Sequence, residues 1–299
     1  MLPHAVRSQR DNAVLDALGR RIPIGVGARR VVSLVPSETE SVARLGGIER
    51  LVGRTTFCIE PSVTIERVPT LGGTKNADVD AIRALAPDLV LANQEENSRR
   101  DVEALIDAGL RVHVSFPRTL AQSVDYLASL AALLGLDPRF ETHVCQARDA
   151  LERLRGAKPR SIVRVWCPIW KAPWMSFDER TFASDVLAHA GLANVMAGRA
   201  RRYPLAADLG DAPRARVPSD RDTRYPRMRL DEALARAPDV VLLPDEPYRF
   251  GPEDAQEIER ESGGRARVLF ADGKDLFWYG VRAIGAPERL RSRVDAQGT

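Results

Sequence analysis

Asp80-Ala81-Ile82-Arg83-Ala84-Leu85-Ala86-Pro87-Asp88-Leu89-Val90-Leu91-Ala92-Asn93-Gln94-Glu95 reads as a helix, a Pro-Asp turn and a buried strand. Asp80 suits the first helical turn, and Pro87 cannot continue the helix. The run Leu89-Val90-Leu91-Ala92 is short and apolar throughout, as in a strand covered on both faces. The same statement returns 151 residues later as Asp231-Glu232-Ala233-Leu234-Ala235-Arg236-Ala237-Pro238-Asp239-Val240-Val241-Leu242-Leu243-Pro244-Asp245-Glu246. The two stretches align without gaps and share Asp80/Asp231, Ala84/Ala235, Ala86/Ala237, Pro87/Pro238, Asp88/Asp239, Val90/Val241, Leu91/Leu242 and Glu95/Glu246. Such an echo points to two matched α/β lobes, or to one helix–turn–strand idiom used twice.

Outward from these stretches, strands and helices alternate. Val31-Val32-Ser33-Leu34-Val35 is a strand stopped by Pro36, with Ser37 the expected N-cap of a helix that runs to Gly46-Gly47. A helix over 99–108 leads to the strand Val112-His113-Val114-Ser115-Phe116. Helices are expected over 120–134 and 138–155. In the second, Phe140, Val144, Ala147, Leu151 and Leu154 form one apolar face, and Cys145 reads as a small core residue. The pattern then restarts with a strand over 162–166, a helix over 181–190 and strands over 240–243 and 267–270. The expectation is an α/β protein whose two Rossmann-like lobes have parallel central sheets and are joined by a long backbone helix. The lobes span 1–136 and 159–299, the connecting helix spans 137–158, and the Pro- and Arg-rich stretch 201–223 is a loop insertion.

Composition excludes several classes. Forty-four basic residues are interspersed with 41 acidic ones for a net charge of +3, so there is no nucleic-acid footprint, and the Arg-rich run 199–202 reads as solvated surface. No apolar run reaches the roughly 18 residues a membrane helix requires. Cys58, Cys145 and Cys167 form no CxxC pair, and the first residues carry no apolar signal core, so a reduced, cytoplasmic protein is expected. An extracytoplasmic location is the alternative if the chain is a mature form. Gly25-Val26-Gly27 precedes a strand instead of following one, and Gly72-Gly73-Thr74-Lys75 lacks phosphate-loop spacing. His4, His113, His143 and His189 form no metal-ligand pair, so no metal site of its own is expected. No nucleophile elbow or Ser-His pairing is visible, and adjacent Glu95-Glu96 more simply hold a loop than catalyse.

The aromatic placement carries the most information. Trp166, Trp170, Trp174 and Trp278 all lie in the second half. Pro168 and Pro173 forbid a regular helix under the first three, so they occupy a loop beyond a strand end. Loops at the carboxyl ends of parallel strands are where open α/β sheets bind ligands, and flat side chains there suit a planar one.

These residues resemble a known family. Arg30-Val31-Val32-Ser33-Leu34-Val35-Pro36-Ser37-Glu38-Thr39-Glu40, Leu71-Gly72-Gly73-Thr74-Lys75-Asn76, Pro173-Trp174-Met175-Ser176-Phe177, Arg224-Tyr225-Pro226 and Val241-Leu242-Leu243-Pro244-Asp245-Glu246-Pro247-Tyr248 are similar to segments of the helical-backbone receptors that serve ABC importers of cobalamin and ferric siderophores. The resemblance covers the chain from about residue 16. It implies a non-enzymatic, monomeric binding protein that holds a metal chelate between its lobes, corrinoid first and haem or ferric siderophore next, with no built-in cofactor. Ligand-lining positions would be Phe57, Cys58, Glu95, Glu96, Trp166, Trp170, Trp174, Tyr225, Tyr248 and Trp278, and Asp80 and Asp231 would dock on an ABC permease if the protein is exported. The rival is a cytoplasmic enzyme, biosynthetic accessory protein or sensor on the same scaffold, with Glu95, Glu96 and Cys58 as its chemistry.

Overall fold

The computed structural model describes residues 12–156, 161–213, 215 and 221–296. It divides into two compact units, the first comprising Met1–Pro117 and Ala121–Asp149, the second Arg118–Leu120 and Ala150–Thr299. The chain is α/β, as expected, and each unit is built on its own four-stranded parallel sheet.

In the first unit the strands are β1 (Val31–Ser33), β2 (Leu51–Arg54), β3 (Leu89–Asn93) and β4 (Val112–Ser115), in the spatial order β2-β1-β3-β4. The second unit repeats that order as β6-β5-β7-β8, from β5 (Val163–Trp166), β6 (Leu192–Asn194), β7 (Val240–Pro244) and β8 (Arg267–Ala271). Among the described residues, the helices of five or more residues are α1 (Pro36–Gly46), α2 (Val79–Ala84), α3 (Arg99–Asp107), α4 (Leu120–Leu133), α5 (Thr142–Gly156), α6 (Phe182–His189), α7 (Leu230–Leu234), α8 (Pro252–Ser262) and α9 (Ala286–Asp295). Every residue of β3 and β7 is buried, which is why both read as unbroken apolar runs.

The echo in sequence is an echo in structure. Strands β3 and β7 start and end 151 residues apart, and Ala86 and Ala237 share a left-handed backbone with φ of 46° and 49°. Arg30 donates from Nη2 to the Leu85 carbonyl at 2.6 Å and from Nε to that of Ala86 at 3.4 Å, closing the end of α2. Asp88 in turn accepts from the Arg30 backbone amide at 3.0 Å. In the second unit Arg164 binds the carbonyls of Arg236 and Ala237 at 2.5 and 3.0 Å, and Asp239 accepts from the Arg164 amide at 2.8 Å. A helix–strand idiom used twice requires neither the shared strand order nor this repeated clasp, so the two units are matched architectures.

Several boundaries differ from expectation for identifiable reasons. Helix α1 starts at Pro36 with Val35 as N-cap, and Ser37 lies in its first turn; proline fits the first helical position because its missing N–H has no partner there. Helix α5 starts at Thr142, since Asp137 accepts from the amides of Phe140 and Glu141 in a turn that leaves Phe140 exposed and off the buried face of Val144, Ala147 and Leu151. Cys145 is only half-buried. Within the expected insertion 201–223, Leu205–Asp208 is helical, while residues 214 and 216–220 lie outside the described residues, as do residues 157–158 of the expected connector and His4. Arg199 is not solvated: it is buried and paired with Asp208 at 2.7 Å and Glu232 at 2.6 Å.

Candidate functional site

Parallel strands bring their carboxyl ends to one edge, and in each unit that edge gathers the expected site residues. In the first unit the loop after β3 is fixed by two asparagines. Asn93 Oδ1 accepts from the amides of Glu95 at 2.8 Å and Glu96 at 3.1 Å, and its Nδ2 donates to Ser115 Oγ at 3.1 Å. Asn97 Oδ1 accepts from the Asn93 amide at 2.7 Å, and its Nδ2 donates to the carbonyls of Leu34 at 3.1 Å and Thr74 at 3.0 Å. Ser115 Oγ in turn donates to the buried Glu38 carboxylate. Burial, reinforced by that charge, pushes the neighbouring Tyr126 phenol up. No pattern in the residues announces that a carboxylate of α1 sits inside the core, since Glu is normally outside.

This frame holds Glu95 exposed and Glu96 half-buried, with Lys75 Nζ donating to the Glu95 carbonyl at 2.7 Å. Phe57, in the loop after β2, is 60% exposed and lies over Gly73, where an added Cβ would meet its ring at 3.3 Å. Cys58 turns the other way: it is fully buried with Sγ 3.1 Å from Thr55 Oγ1, and burial pushes its thiol up. A protonated, inaccessible thiol is a poor nucleophile.

In the second unit the aromatic side chains form a continuous run. Trp166, at the end of β5 and fully buried, meets Trp174 edge-on at 5.4 Å. Trp174 stacks on Phe250 at 5.9 Å, Phe250 meets Tyr248 at 4.7 Å, and Tyr248 meets Trp170 edge-on at 5.4 Å. The run thus begins in the core and ends at Trp170, which is 46% exposed. Lys171 lies over Trp174 at 5.3 Å and is held by Asp254 at 2.5 Å and Glu257 at 2.6 Å. Pro168 and Pro173 keep the intervening loop irregular, as expected, and Trp174–Met175 pairs antiparallel with Arg227–Met228. Of the expected lining residues here, Trp170 and Tyr248 come together at the accessible end, and Trp166 and Trp174 lie beneath them. Tyr225 is half-buried, with the Arg224 guanidinium 5.3 Å from its ring centre.

Trp278 is buried and donates from Nε1 to Glu246 Oε1 at 2.5 Å, while Lys274 Nζ lies 5.5 Å over its ring. Burial pushes the Glu246 carboxyl up to about 7; Asp245 and Asp272 act in the same direction, and Trp278 and Lys274 oppose them. Gly273 makes this packing feasible, because a Cβ there would stand 2.4 Å from Glu246 Cγ. Glu246 is a residue of this edge that sequence reasoning did not single out, although it matches Glu95 in the echo and lies in the resembling segment 241–248. Asp80 and Asp231 are exposed near the starts of α2 and α7. Among the described residues, no three His, Cys, Asp or Glu side chains group to hold a metal ion, and no helix is long and apolar enough to cross a membrane.

Comparison with known proteins agrees with the resemblance read from the residues. The vitamin B12-binding protein of Yersinia pestis (strain Pestoides F) is 24% identical over 227 residues, spanning 72% of this chain and 69% of that one. The solved periplasmic vitamin B12 binding protein of Vibrio cholerae superposes with a TM-score of 0.68 at 19% identity, covering 90% of this chain and 97% of the other. A periplasmic heme binding protein from Pseudomonas aeruginosa gives 0.69 at 22% identity, covering 89% and 92%. These two likenesses establish the fold. The family described as "Periplasmic binding protein" matches residues 31–263, most of the chain, and this chain belongs to that family.

Proposed function

We propose that this protein reversibly binds a metal chelate, a corrinoid first and a haem or ferric siderophore next, with no covalent step. The observation that carries the reading is the aromatic run that surfaces at Trp170 and Tyr248 on the carboxyl edge of the second unit's sheet. An exposed indole braced from below by Tyr248, Phe250 and Trp174 is a rigid flat face, and such a face stacks on a macrocycle at little cost in side-chain entropy. On the first unit, Phe57 offers a second open ring, and Glu95 and Glu96 offer acceptors held in place by Asn93. Glu246 and Trp278 add a polar pair to the second unit's edge. The named ligands of the relatives, vitamin B12 and heme, support the same ligand class. The enzymatic rival loses its best nucleophile with the burial of Cys58.

Family membership also favours the extracytoplasmic location, with Asp80 and Asp231 as the docking points for an ABC permease. Isothermal titration against cobalamin, cobinamide, haemin and a ferric siderophore tests the reading. Saturable binding of one of them is expected, weakened roughly tenfold or more by Trp170→Ala, the loss of one stacked aromatic face. Asp80→Lys and Asp231→Lys should leave those heats unchanged and cost only delivery through the permease. Silence from all four ligands would discard the chelate reading.

A further inference from the structure

We propose that Arg201 and Arg221, which both lie against the Tyr203 ring in the second unit, form a binding subsite for a phosphate or carboxylate group. The Arg201 guanidinium lies 4.4 Å and that of Arg221 5.1 Å from the centre of the Tyr203 ring. The ring itself is fixed, since its hydroxyl donates to the Asp222 carbonyl at 2.8 Å. Arg201 is tied by its backbone amide to the Thr223 carbonyl at 2.7 Å, on the segment that continues into Arg227–Met228 and pairs with Trp174–Met175. The cluster is therefore joined to the two-stranded antiparallel pair that carries Trp174 of the aromatic run.

Four other arginines of the second unit are matched with carboxylates. Arg180 pairs with Asp178, Arg224 with Asp222, Arg229 with Asp211, and Arg199 with Asp208 and Glu232. Among the described residues Arg201, Arg221 and Arg227 have no such partner. Arg201 Nε is buried and without a hydrogen bond. Burial, together with the Arg201 charge, pushes the Arg227 guanidinium below its ordinary value, although Asp208 partly offsets this. Asp208 is already engaged by Arg199 and by the backbone amides of Arg202 and Arg227. Like charges held together, with a buried donor left over, are costly unless an anion enters. Guanidinium forks suit the paired oxygens of a phosphate or carboxylate.

The group could be a free oxyanion or a substituent of a larger ligand, and two titrations separate these. The first adds inorganic phosphate to the full chain at fixed ionic strength against chloride. The expected result is one saturable site that weakens roughly tenfold in Arg201→Gln and in Arg221→Gln, the loss of one charge-assisted pair. Arg229→Gln, whose guanidinium already has Asp211, should leave phosphate binding unchanged. The second arm titrates haemin and its dimethyl ester into the wild type and Arg201→Gln. Esterification and the substitution weakening haemin binding to similar, non-additive extents assigns the subsite to a ligand's own carboxylate. Arg221 is exposed, so its variant keeps the test open if Arg201→Gln fails to fold. The proposal is overturned if neither phosphate nor haemin binding responds to these substitutions, or if Arg229→Gln weakens phosphate as much. The phosphate arm needs no chelate, so its outcome is independent of the ligand class proposed above.

Discussion

Glu246 and His113 are both buried titratable side chains, and burial acts on them with opposite sign. The imidazole of His113 is pushed down to about 4, with Asp16 opposing and Arg20 reinforcing the shift. As pH falls from about 6.5 toward 4, the unfolded chain takes up a proton that the folded His113 refuses, so stability is lost on acidification. Glu246 behaves in reverse. As pH rises from about 4.5 toward 7, the unfolded chain releases a proton that the folded carboxyl keeps, so its contribution is lost on going alkaline. Each amounts to at most about 3 kcal/mol, and less for the incompletely buried Glu246. Urea unfolding across this range should show a flatter acid limb in His113→Gln and a flatter neutral limb in Glu246→Gln; unchanged slopes would refute the assignment. Little at this scale was legible beforehand. Glu95 and Trp170 could be placed on strand-end loops from the order of elements alone, whereas Phe57 was reached only through the family resemblance. The bond between Trp278 and Glu246 could not, because it joins residues 32 apart in sequence and needs the space that Gly273 leaves beside the carboxylate's stem.

At the scale of elements, the repeated clasp of Arg30 with Asp88 and of Arg164 with Asp239 makes a paired prediction. Each aspartate accepts backbone amides at the start of a central strand, Asp88 from Arg29 and Arg30, Asp239 from Arg164. Asp88→Ala and Asp239→Ala should each cost about 1 kcal/mol, the net worth of a hydrogen bond or two near the surface. The two costs should add, because the clasps share no partner. Chemical denaturation of the two single variants and the double variant checks both statements, and a strongly non-additive double variant would contradict them. The central elements were legible because burial on both faces writes β3 and β7 as unbroken apolar runs beside Pro-Asp turns. The edge strands β2 and β6 were not: Leu51–Arg54 contains Gly53, and Leu192–Asn194 is three residues long and ends in a polar side chain. Edge strands this short lack a period to read.

For the whole molecule, the uneven distribution of aromatic residues separates the two units experimentally. Trp166, Trp170, Trp174 and Trp278 all belong to the second unit, and the first unit has no tryptophan. Trp170 is the exposed one, while the other three are buried. Acrylamide should therefore quench a minor, accessible fraction of the emission, and Trp170→Phe should remove most of that fraction; undiminished quenching in the variant would contradict this placement. Far-ultraviolet circular dichroism sees the helices of both units, whereas indole emission sees one. Should the units melt separately, the two signals will part company during denaturation. The run of stacked rings thus gives the chain a native optical probe of its second half, one that leaves the first half dark and needs no label.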